Sequence, residues 1–176
     1  MLKLRCFLHS AILVLVLLVS TNSFAVEKEY MLKAGFLYNF ARFSQWQNPL
    51  DENTNFTLCS PDKNFVDIAD TALNNRTVKG LPLVNKYITL DASSIKQCNM
   101  IFITSDTFED WIKTELLIHK NILVVGENDE FIESSGHIRF FLSSGKIRFE
   151  IAPQNLKSDG ITMSSKVLRL ARVVGG

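Results

Sequence analysis

The residue types that could support catalysis are few and widely spaced in this sequence. Of its three histidines, His119 and His137 lie beyond an apolar N-terminal segment. Beyond that segment no His or Cys residues have the close spacing typical of a zinc site, and the glycines form no phosphate-binding loop. Ser135 and His137 could join a distant Asp in a hydrolytic triad, but Gly-x-Ser-x-Gly is absent and Ser-Ser-Gly is typical of a turn. The sequence therefore predicts no enzyme, no metal site and no cofactor.

The candidate binding residues are charged side chains within a repeated pattern. Ser-Ser-Gly-x-Ile-Arg-Phe occurs twice within residues 134–149. If the two copies are the arms of a hairpin, Arg139 faces Glu150, and Arg148 lies diagonal to Arg139 on the same face. One interpretation is an exposed cross-strand ion pair, which contributes less than about 1 kcal/mol. The other is that the spare guanidinium binds an anionic group of a ligand or partner.

The same repeated pattern predicts the local structure. Its two copies are too close for a crossover helix, so the strands must be antiparallel, and Ser144-Gly145 suits a two-residue turn. In that register apolar side chains share one face without a mismatch. We therefore expect an antiparallel β-hairpin at residues 137–151 rather than a duplicated site. Its inward residues are Ile138, Phe140, Ile147 and Phe149, and its outward residues are Arg139, Arg148 and Glu150.

Short β-rich segments alternate with helical segments in the middle of the sequence. The predicted strands are FTLCS, LPLVNKYITL, MIFITS and ILVVG, and the predicted helices are FVDIADTALNN, SSIKQC and TFEDWIKTELLIH. The strands show little alternation in polarity, which is typical of parallel strands that are buried on both faces. The sequence therefore predicts an α/β fold, a single domain with a mostly parallel central sheet covered by helices.

We also expect an N-terminal and a C-terminal helix. The first, residues 29–46, has aromatic side chains on most of its sides, so it must be covered from more than one direction. It lies either deep in the core or in contact with a second subunit or a partner. The second, residues 164–174, is amphipathic and has a basic edge. The candidate interface aromatics of the first helix are Phe36, Tyr38, Phe40, Phe43 and Trp46.

The first residues have the features of a secretory signal peptide. Lys3 and Arg5 precede an apolar run at residues 11–19, and small residues suit cleavage after position 25. The run is short for a hydrocarbon core of about 30 Å. We expect that removal of residues 1–25 leaves residues 26–176 as one exported domain with no membrane span.

The charge of this mature chain limits the classes of partner that we expect, and its cysteine content indicates its compartment. It has 17 cations and 18 anions once Lys3 and Arg5 are removed. A net charge this close to zero does not indicate binding to nucleic acid or to an anionic membrane. Cys59 and Cys98 suggest a disulfide in an exported protein. Because they would lie at opposite ends of neighbouring parallel strands, two free thiols are the alternative.

Four segments in the same order span nearly the whole mature chain: EYMLKAGFLYNFARFSQW, CNMIFITS, GHIRFFLSSGKIRFEI and GITMSSKVLRLARVV. Together they resemble the YfiR family of periplasmic proteins. The resemblance implies a single α/β domain, and the spacing of Cys59 and Cys98 agrees with the family. The family commonly has Asn after Phe-Glu-Ile, where this chain has Ala152-Pro153. Some members carry a second Cys pair around the hairpin, which residues 133–140 lack.

The resemblance implies regulation rather than catalysis. YfiR-like proteins bind the periplasmic part of an inner-membrane diguanylate cyclase and hold it inactive, which lowers cyclic di-GMP signalling and biofilm formation. An OmpA-like outer-membrane lipoprotein relieves the repression. We therefore expect a non-enzymatic periplasmic regulator that forms a homodimer. The alternative is a periplasmic small-molecule-binding subunit that acts on another membrane sensor, such as a histidine kinase, with its ligand beyond the carboxyl ends of the strands.

Overall fold

The computed structural model describes residues 25–50, 55–114 and 120–175, and residues 25–43 form helix α1. The predicted signal peptide, apart from its last residue, lies outside this part of the chain, as does His119. The other helices are α2 (Lys63–Ala72), α3 (Ala92–Ile95), α4 (Phe108–Ile112), α5 (Pro153–Ser158) and α6 (Ser165–Leu168). The strands are β1 (Ser44–Trp46), β2 (Phe56–Ser60), β3 (Thr77–Val78), β4 (Leu81–Tyr87), β5 (Met100–Ile103), β6 (Leu123–Gly126), β7 (Ile138–Ser143), β8 (Lys146–Ile151), β9 (Ile161–Met163) and β10 (Arg172–Val173).

A central sheet of eight strands organises the domain, in the order β10-β8-β7-β6-β5-β2-β4-β3. The pairs from β4 through β2, β5 and β6 to β7 are parallel, and so is the pair of β8 with β10. The pairs β7–β8 and β3–β4 are antiparallel. The predicted α/β fold with a mostly parallel sheet is confirmed. A separate two-stranded sheet joins β1 and β9.

The central strands are buried because hydrophobic clusters lie on both of their faces. Every residue of β5 and β6 is buried, as expected of parallel strands between helical layers. On one face, α1 and α2 pack with side chains such as Leu37, Phe40 and Phe65. On the other face, α3 and α4 pack around Phe131 with side chains such as Trp111. None of the helices within the described residues is long and apolar enough to cross a membrane.

A disulfide joins Cys59 to Cys98, with 5.9 Å between their Cα atoms. The geometric objection does not apply, because Cys98 is not part of β5, and its backbone N–H donates to the carbonyl of Ile95 at the end of α3. In the register of β2 and β5, Cys59 is beside Ile101. Cys98 follows α3, and both cysteines belong to the hydrophobic cluster that contains Ile95 of α3. The bond therefore connects a strand to the helical layer above it, rather than one strand end to the opposite end of another.

The predicted hairpin is confirmed in its register. Ser144 and Gly145 form the turn with φ of 52° and 70°, and a pair of positive φ values is typical of the type I′ turn. Arg139 pairs with Glu150, and Phe141 pairs with Arg148. Alternation of side chains along two short strands was therefore sufficient to predict the register of this element.

The N-terminal helix ends earlier than predicted. Helix α1 stops at residue 43, and Ser44–Trp46 forms β1 instead of a last helical turn. The Oγ of Ser44 donates to the carbonyl of Phe40 at 2.8 Å, and Ser44 pairs with Met163 of β9. A strand from the far end of the chain thus overrides the helical pattern at this point.

The predicted C-terminal helix at residues 164–174 is wrong beyond its first turn. Helix α6 covers Ser165–Leu168, with the Ser164 side chain at its N-cap, and the chain then forms β10. Of the apolar residues in this segment, Val167 is buried whereas Leu170 is 75% exposed. The amphipathic pattern therefore belongs to two elements. Pairing of β10 with β8 replaces the second half of the helix.

Candidate functional site

A charged network on β7, β8 and β10 lies on the face of the hairpin that is turned away from α1. The Nε of Arg139 donates to Oε1 of Glu150 at 2.6 Å, and the Nε of Arg172 donates to Oε2 of Glu150 at 2.7 Å. Asp129, in the loop after β6, accepts a further hydrogen bond from Arg139. Each oxygen of Glu150 therefore has an arginine partner, and the network attaches β10 to the hairpin.

The prediction that Arg139 and Glu150 are exposed is wrong, since they are 7% and 5% exposed. Their cover includes Arg172 and Asp129, which alternation within the hairpin cannot predict. Burial, the largest influence on Glu150, acts to raise the pKa of its carboxyl. Hydrogen bonds from Arg139 and Arg172 outweigh burial, so the pKa of Glu150 lies below its ordinary value. The carboxylate is thus fully ionised at neutral pH, and its oxygens are engaged within the chain.

Of the three charged residues predicted to bind a ligand or partner, Arg148 is the one that remains available for such a contact. It lies opposite Phe141 on β8 and is exposed. Among the described residues, no carboxylate forms an ion pair with Arg148. The ring of Phe141 is instead covered by Arg172, whose guanidinium lies 4.4 Å from the ring centroid. The spare guanidinium considered from the sequence is therefore the one on Arg148.

A cleft of about 180 Å³ lies between α1 and the hairpin, beyond the carboxyl ends of β5 and β6. At its polar end Lys33, which is 5% exposed, pairs with Glu127 and Glu29. The backbone N–H of Ser105 donates to Glu127 at 2.8 Å. The apolar wall consists of Phe140, Phe141, Leu142 and Ile147. Because two carboxylates already neutralise Lys33, this cation is not free to bind an anionic ligand.

The aromatic residues of the first helical segment lie in different surroundings. Phe40 is 1% exposed, and its ring centroid lies 5.7 Å from that of Phe140 and 4.9 Å from that of Phe149. This ring packs within the domain and has no surface left for a partner. The other candidates are partly buried against the same core, and for them the interface role stays a prediction; they are Phe36, Tyr38, Phe43 and Trp46.

The comparison with family models identifies the chain. Residues 30–172 match the family DUF4154, described as YfiR/HmsC-like. The chain belongs to the YfiR/HmsC-like family. This is a periplasmic, regulatory family, and a disulfide fits an oxidising compartment.

Two further comparisons accompany the family match. The search of curated proteins finds no match to this YfiR/HmsC-like chain. Among solved structures, it is similar to one titled "Crystal structure of conserved domain protein from vibrio cholerae o1 biovar eltor str. n16961", with 11% sequence identity and a TM-score of 0.47. The alignment covers 70% of this chain and 55% of that chain, so this chain spans little more than half of the solved protein.

His137 has a structural role in this YfiR/HmsC-like domain. The ring is fully buried, and its Nδ1 accepts a hydrogen bond from the backbone N–H of Val124 at 2.9 Å. Because Nδ1 is an acceptor, Nε2 carries the proton and donates to Asp159 at 3.0 Å. Lys120 pairs with the other oxygen of Asp159. Both ring nitrogens are therefore engaged, and neither can accept a proton from a serine.

The Lys33–Glu127 pair is the element of the site that the sequence did not reveal. Lys33 belongs to the motif shared with the YfiR family, but its partner is far away in sequence and follows β6. A lysine directly between the apolar residues Leu32 and Ala34 is the one signal that could have indicated a buried pair. Tyr30, one turn earlier, donates its hydroxyl to Asp62 at 2.7 Å. Burial and this hydrogen bond raise the pKa of the Tyr30 phenol above its ordinary value.

Proposed function

We propose that this chain is a non-enzymatic periplasmic regulator that binds the periplasmic part of an inner-membrane diguanylate cyclase and represses it. The observation that carries the proposal is the YfiR/HmsC-like match over residues 30–172, which leaves little of the mature chain outside the family domain. The expected consequence is lower cyclic di-GMP and less biofilm. The regulator has no chemistry to perform in this mechanism, because its whole contribution is differential binding.

The engagement of the polar side chains supports this mode of action. His137 is held by Val124 and Asp159, and Lys33 is held by Glu29 and Glu127. Such groups stabilise the fold and are not arranged to take part in a reaction. Repression then requires that the regulator bind the inactive form of the cyclase more tightly than the active form. A ten-fold difference corresponds to about 1.4 kcal/mol, which a few surface contacts can provide.

Relief of repression follows from the same equilibrium. An outer-membrane lipoprotein that binds the regulator lowers the free concentration available to the cyclase, so the cyclase returns to its active form by mass action. This step needs no chemical change in the regulator. It predicts that the lipoprotein and the cyclase compete for the regulator or bind it in mutually exclusive states.

The test is a reconstituted repression assay. The mature regulator is added to a membrane diguanylate cyclase from the same organism in nanodiscs, and cyclic di-GMP formation is measured. We expect a saturable decrease in rate. The matched control is the same cyclase without its periplasmic domain, which should not respond. Full activity of the intact cyclase at saturating regulator, together with no binding to its periplasmic domain, would overturn the proposal.

The cleft beside α1 favours a second candidate function, a small-molecule-binding subunit of another membrane sensor such as a histidine kinase. Ligands of α/β sheets tend to bind beyond the carboxyl ends of the strands, which is where this cleft lies. A thermal-shift screen with amino acids, vitamins and nucleotides tests this candidate. A ligand that raises the melting temperature of the wild type but not of Glu127→Gln would favour the small-molecule-binding function over the cyclase repressor acting alone. No change in melting temperature with any compound would count against the small-molecule-binding function.

A further inference from the structure

The outer edge of strand β8 is only partly paired. β8 pairs with β7 along its whole length, but β10 pairs only with Glu150 and Ile151. Within the described residues, no strand lies beside the first part of β8, from Lys146 to Phe149. An unpaired edge presents backbone donors and acceptors to other chains. This edge belongs to the hairpin whose repeated sequence pattern the structure otherwise explains as architecture.

The register identifies which backbone groups face outward. In a hairpin with a two-residue turn, the two residues that flank the turn exchange hydrogen bonds with each other. The next pair does not, and the two kinds of pair alternate along the rest of the strands. Ser143 and Lys146 flank this turn, so the next pair, Leu142 and Ile147, does not exchange hydrogen bonds. The N–H and C=O of Ile147 therefore point away from β7, toward the open edge. The same rule directs the backbone of Ile151 outward, where its carbonyl does accept from the N–H of Val174 at 2.9 Å.

The two faces beside this edge differ in chemistry. On the α1 side, Ile147 is partly buried, and Leu142, its partner on β7, is 66% exposed. On the opposite side, Arg148 is exposed with no carboxylate partner among the described residues, and Lys146 is exposed at the start of the strand. A strand that paired here would find an apolar surface on one face and a cationic surface on the other.

We propose that the open edge of β8 binds an extended segment of a partner protein, with apolar and acidic side chains in alternation, as an added strand. This inference rests on the proposed regulatory function and names the surface and the partner chemistry for it. Main-chain hydrogen bonds to Ile147 give the affinity in this mode, and side-chain pockets give the specificity. Alternate residues of the incoming strand lie beside Ile147 on the α1 side, and the residues between them place carboxylates beside Arg148.

Charge selects this occupant over a second copy of the chain. If two β8 edges paired with each other, Lys146 and Arg148 of one copy would lie beside the same cations of the other. Like charges that face each other across strands are destabilising. An acidic strand replaces that repulsion by attraction, and the guanidinium of Arg148 can bind a carboxylate in bidentate geometry.

The test uses the mature protein and a short acetylated peptide of alternating valine and glutamate. Binding is measured by calorimetry, and the contact is located by amide chemical shifts and hydrogen exchange. We expect protection of the Ile147 amide on binding. Arg148→Glu should weaken binding by about ten-fold or more, and Ile147→Pro should abolish it, since proline removes an outward N–H without removing a bond to β7. A peptide in which lysine replaces glutamate is the matched ligand control, and it should bind far more weakly.

Arg76→Glu is the matched control variant. Arg76 is exposed, faces Tyr38 at 5.5 Å from the ring centroid, and precedes β3 at the other end of the sheet. Its reversal should leave peptide binding unchanged. Absence of binding at millimolar peptide, equal losses in the two charge variants, or a dimer that Ile147→Pro dissociates would each overturn the inference. A folded Arg148→Glu protein that loses the peptide but still represses the cyclase would also overturn it, while leaving the proposed function intact.

Discussion

The guanidinium of Arg172 lies over the ring of Phe141, with 4.4 Å between Cζ and the ring centroid. The same guanidinium donates through Nε to Glu150. A two-residue strand has few backbone hydrogen bonds of its own, so β10 depends on these side-chain contacts for its position. Glu150 is the shared acceptor, because Arg139 binds its other oxygen. The terminal strand and the hairpin therefore depend on a single buried carboxylate.

Replacement of that carboxylate should be costly. Glu150→Gln removes the buried carboxylate that pairs with Arg139 and leaves only the exposed Asp129 as its charge partner. Breaking a buried ion pair typically costs about 3 to 5 kcal/mol. We expect a decrease of this order in the free energy of unfolding at neutral pH, measured in urea. Arg148→Gln is the matched control, since it removes an exposed charge from the same strand, and its effect should be within about 0.5 kcal/mol.

The cost of Glu150→Gln should depend on pH in a defined direction. The pKa of Glu150 is lower in the folded chain than its ordinary value of 4.5, so the unfolded chain takes up the proton first as pH falls. The stabilisation is complete well above that ordinary value and is lost as pH falls through the folded pKa. The difference between the two proteins should therefore shrink in acid. A difference that stays constant between neutral pH and strong acid would contradict this account of the network.

The disulfide should contribute strongly to stability. Cys59 and Cys98 close a loop with a sequence separation of 39, and the chain-entropy model gives roughly 4 kcal/mol for a loop of that length. We expect a decrease of this size in the free energy of unfolding for Cys59→Ala with Cys98→Ala. A reductant should shift the urea midpoint of the wild type toward that of the variant and leave the variant unchanged. Equal midpoints in the wild type with and without reductant would contradict the expectation.

The sequence predicts those parts of the fold in which local periodicity and tertiary contacts agree. The hairpin register follows from alternation along two adjacent strands, and the parallel sheet follows from apolar strands such as Met100–Ile103 that are buried on both faces. The end of the first helix and the second half of the C-terminal helical segment were mispredicted because distant partners decide them. β1 forms on β9, and β10 forms on β8, whereas both segments have helical periodicity in isolation.

The candidate site follows the same rule. The pairing of Arg139 with Glu150 is a local relationship, and the sequence predicts it correctly. Their burial depends on Asp129 and Arg172, which come from a loop and a strand outside the hairpin. The Lys33–Glu127 pair joins residues separated by 94 positions, and no periodic pattern can indicate such a contact. The contacts between elements therefore could not be predicted from the sequence, and neither could the short strands β1 and β10, which form through such contacts.

His137 should stabilise the fold mainly because its Nδ1 accepts the hydrogen bond from the backbone N–H of Val124. His137→Ala leaves the buried N–H of Val124 without its acceptor and opens a cavity, and we expect a loss of about 3 kcal/mol in the free energy of unfolding. His137→Asn should recover part of this loss, because its side-chain oxygen can take the place of Nδ1. Hydrogen exchange at the Val124 amide, fast in the alanine variant and slower in the asparagine variant, checks the assignment. Similar exchange in both variants would contradict it.

Two glycines enclose the ring of Phe131 and should not tolerate a side chain. A Cβ on Gly126 would lie 2.4 Å from Cδ2 of Phe131, and a Cβ on Gly136 would lie 2.2 Å from Cδ1 on the other side of the ring. Phe131 is fully buried, so it cannot move aside without disturbing the cluster around it. We expect each alanine variant to lose about 3 kcal/mol or more in the free energy of unfolding, as overpacked cores do.

Gly35 provides the matched control for these substitutions. It lies within α1, and a Cβ placed there has no atom within 4 Å. Alanine is favoured over glycine within a helix by about 1 kcal/mol, so Gly35→Ala should stabilise the protein by about this amount. Melting temperatures of the three variants, measured by calorimetry, therefore separate the steric clash with Phe131 from the general effect of replacing glycine by alanine. An equal decrease in all three melting temperatures would contradict the enclosure of Phe131, because helix propensity alone predicts the opposite sign at Gly35.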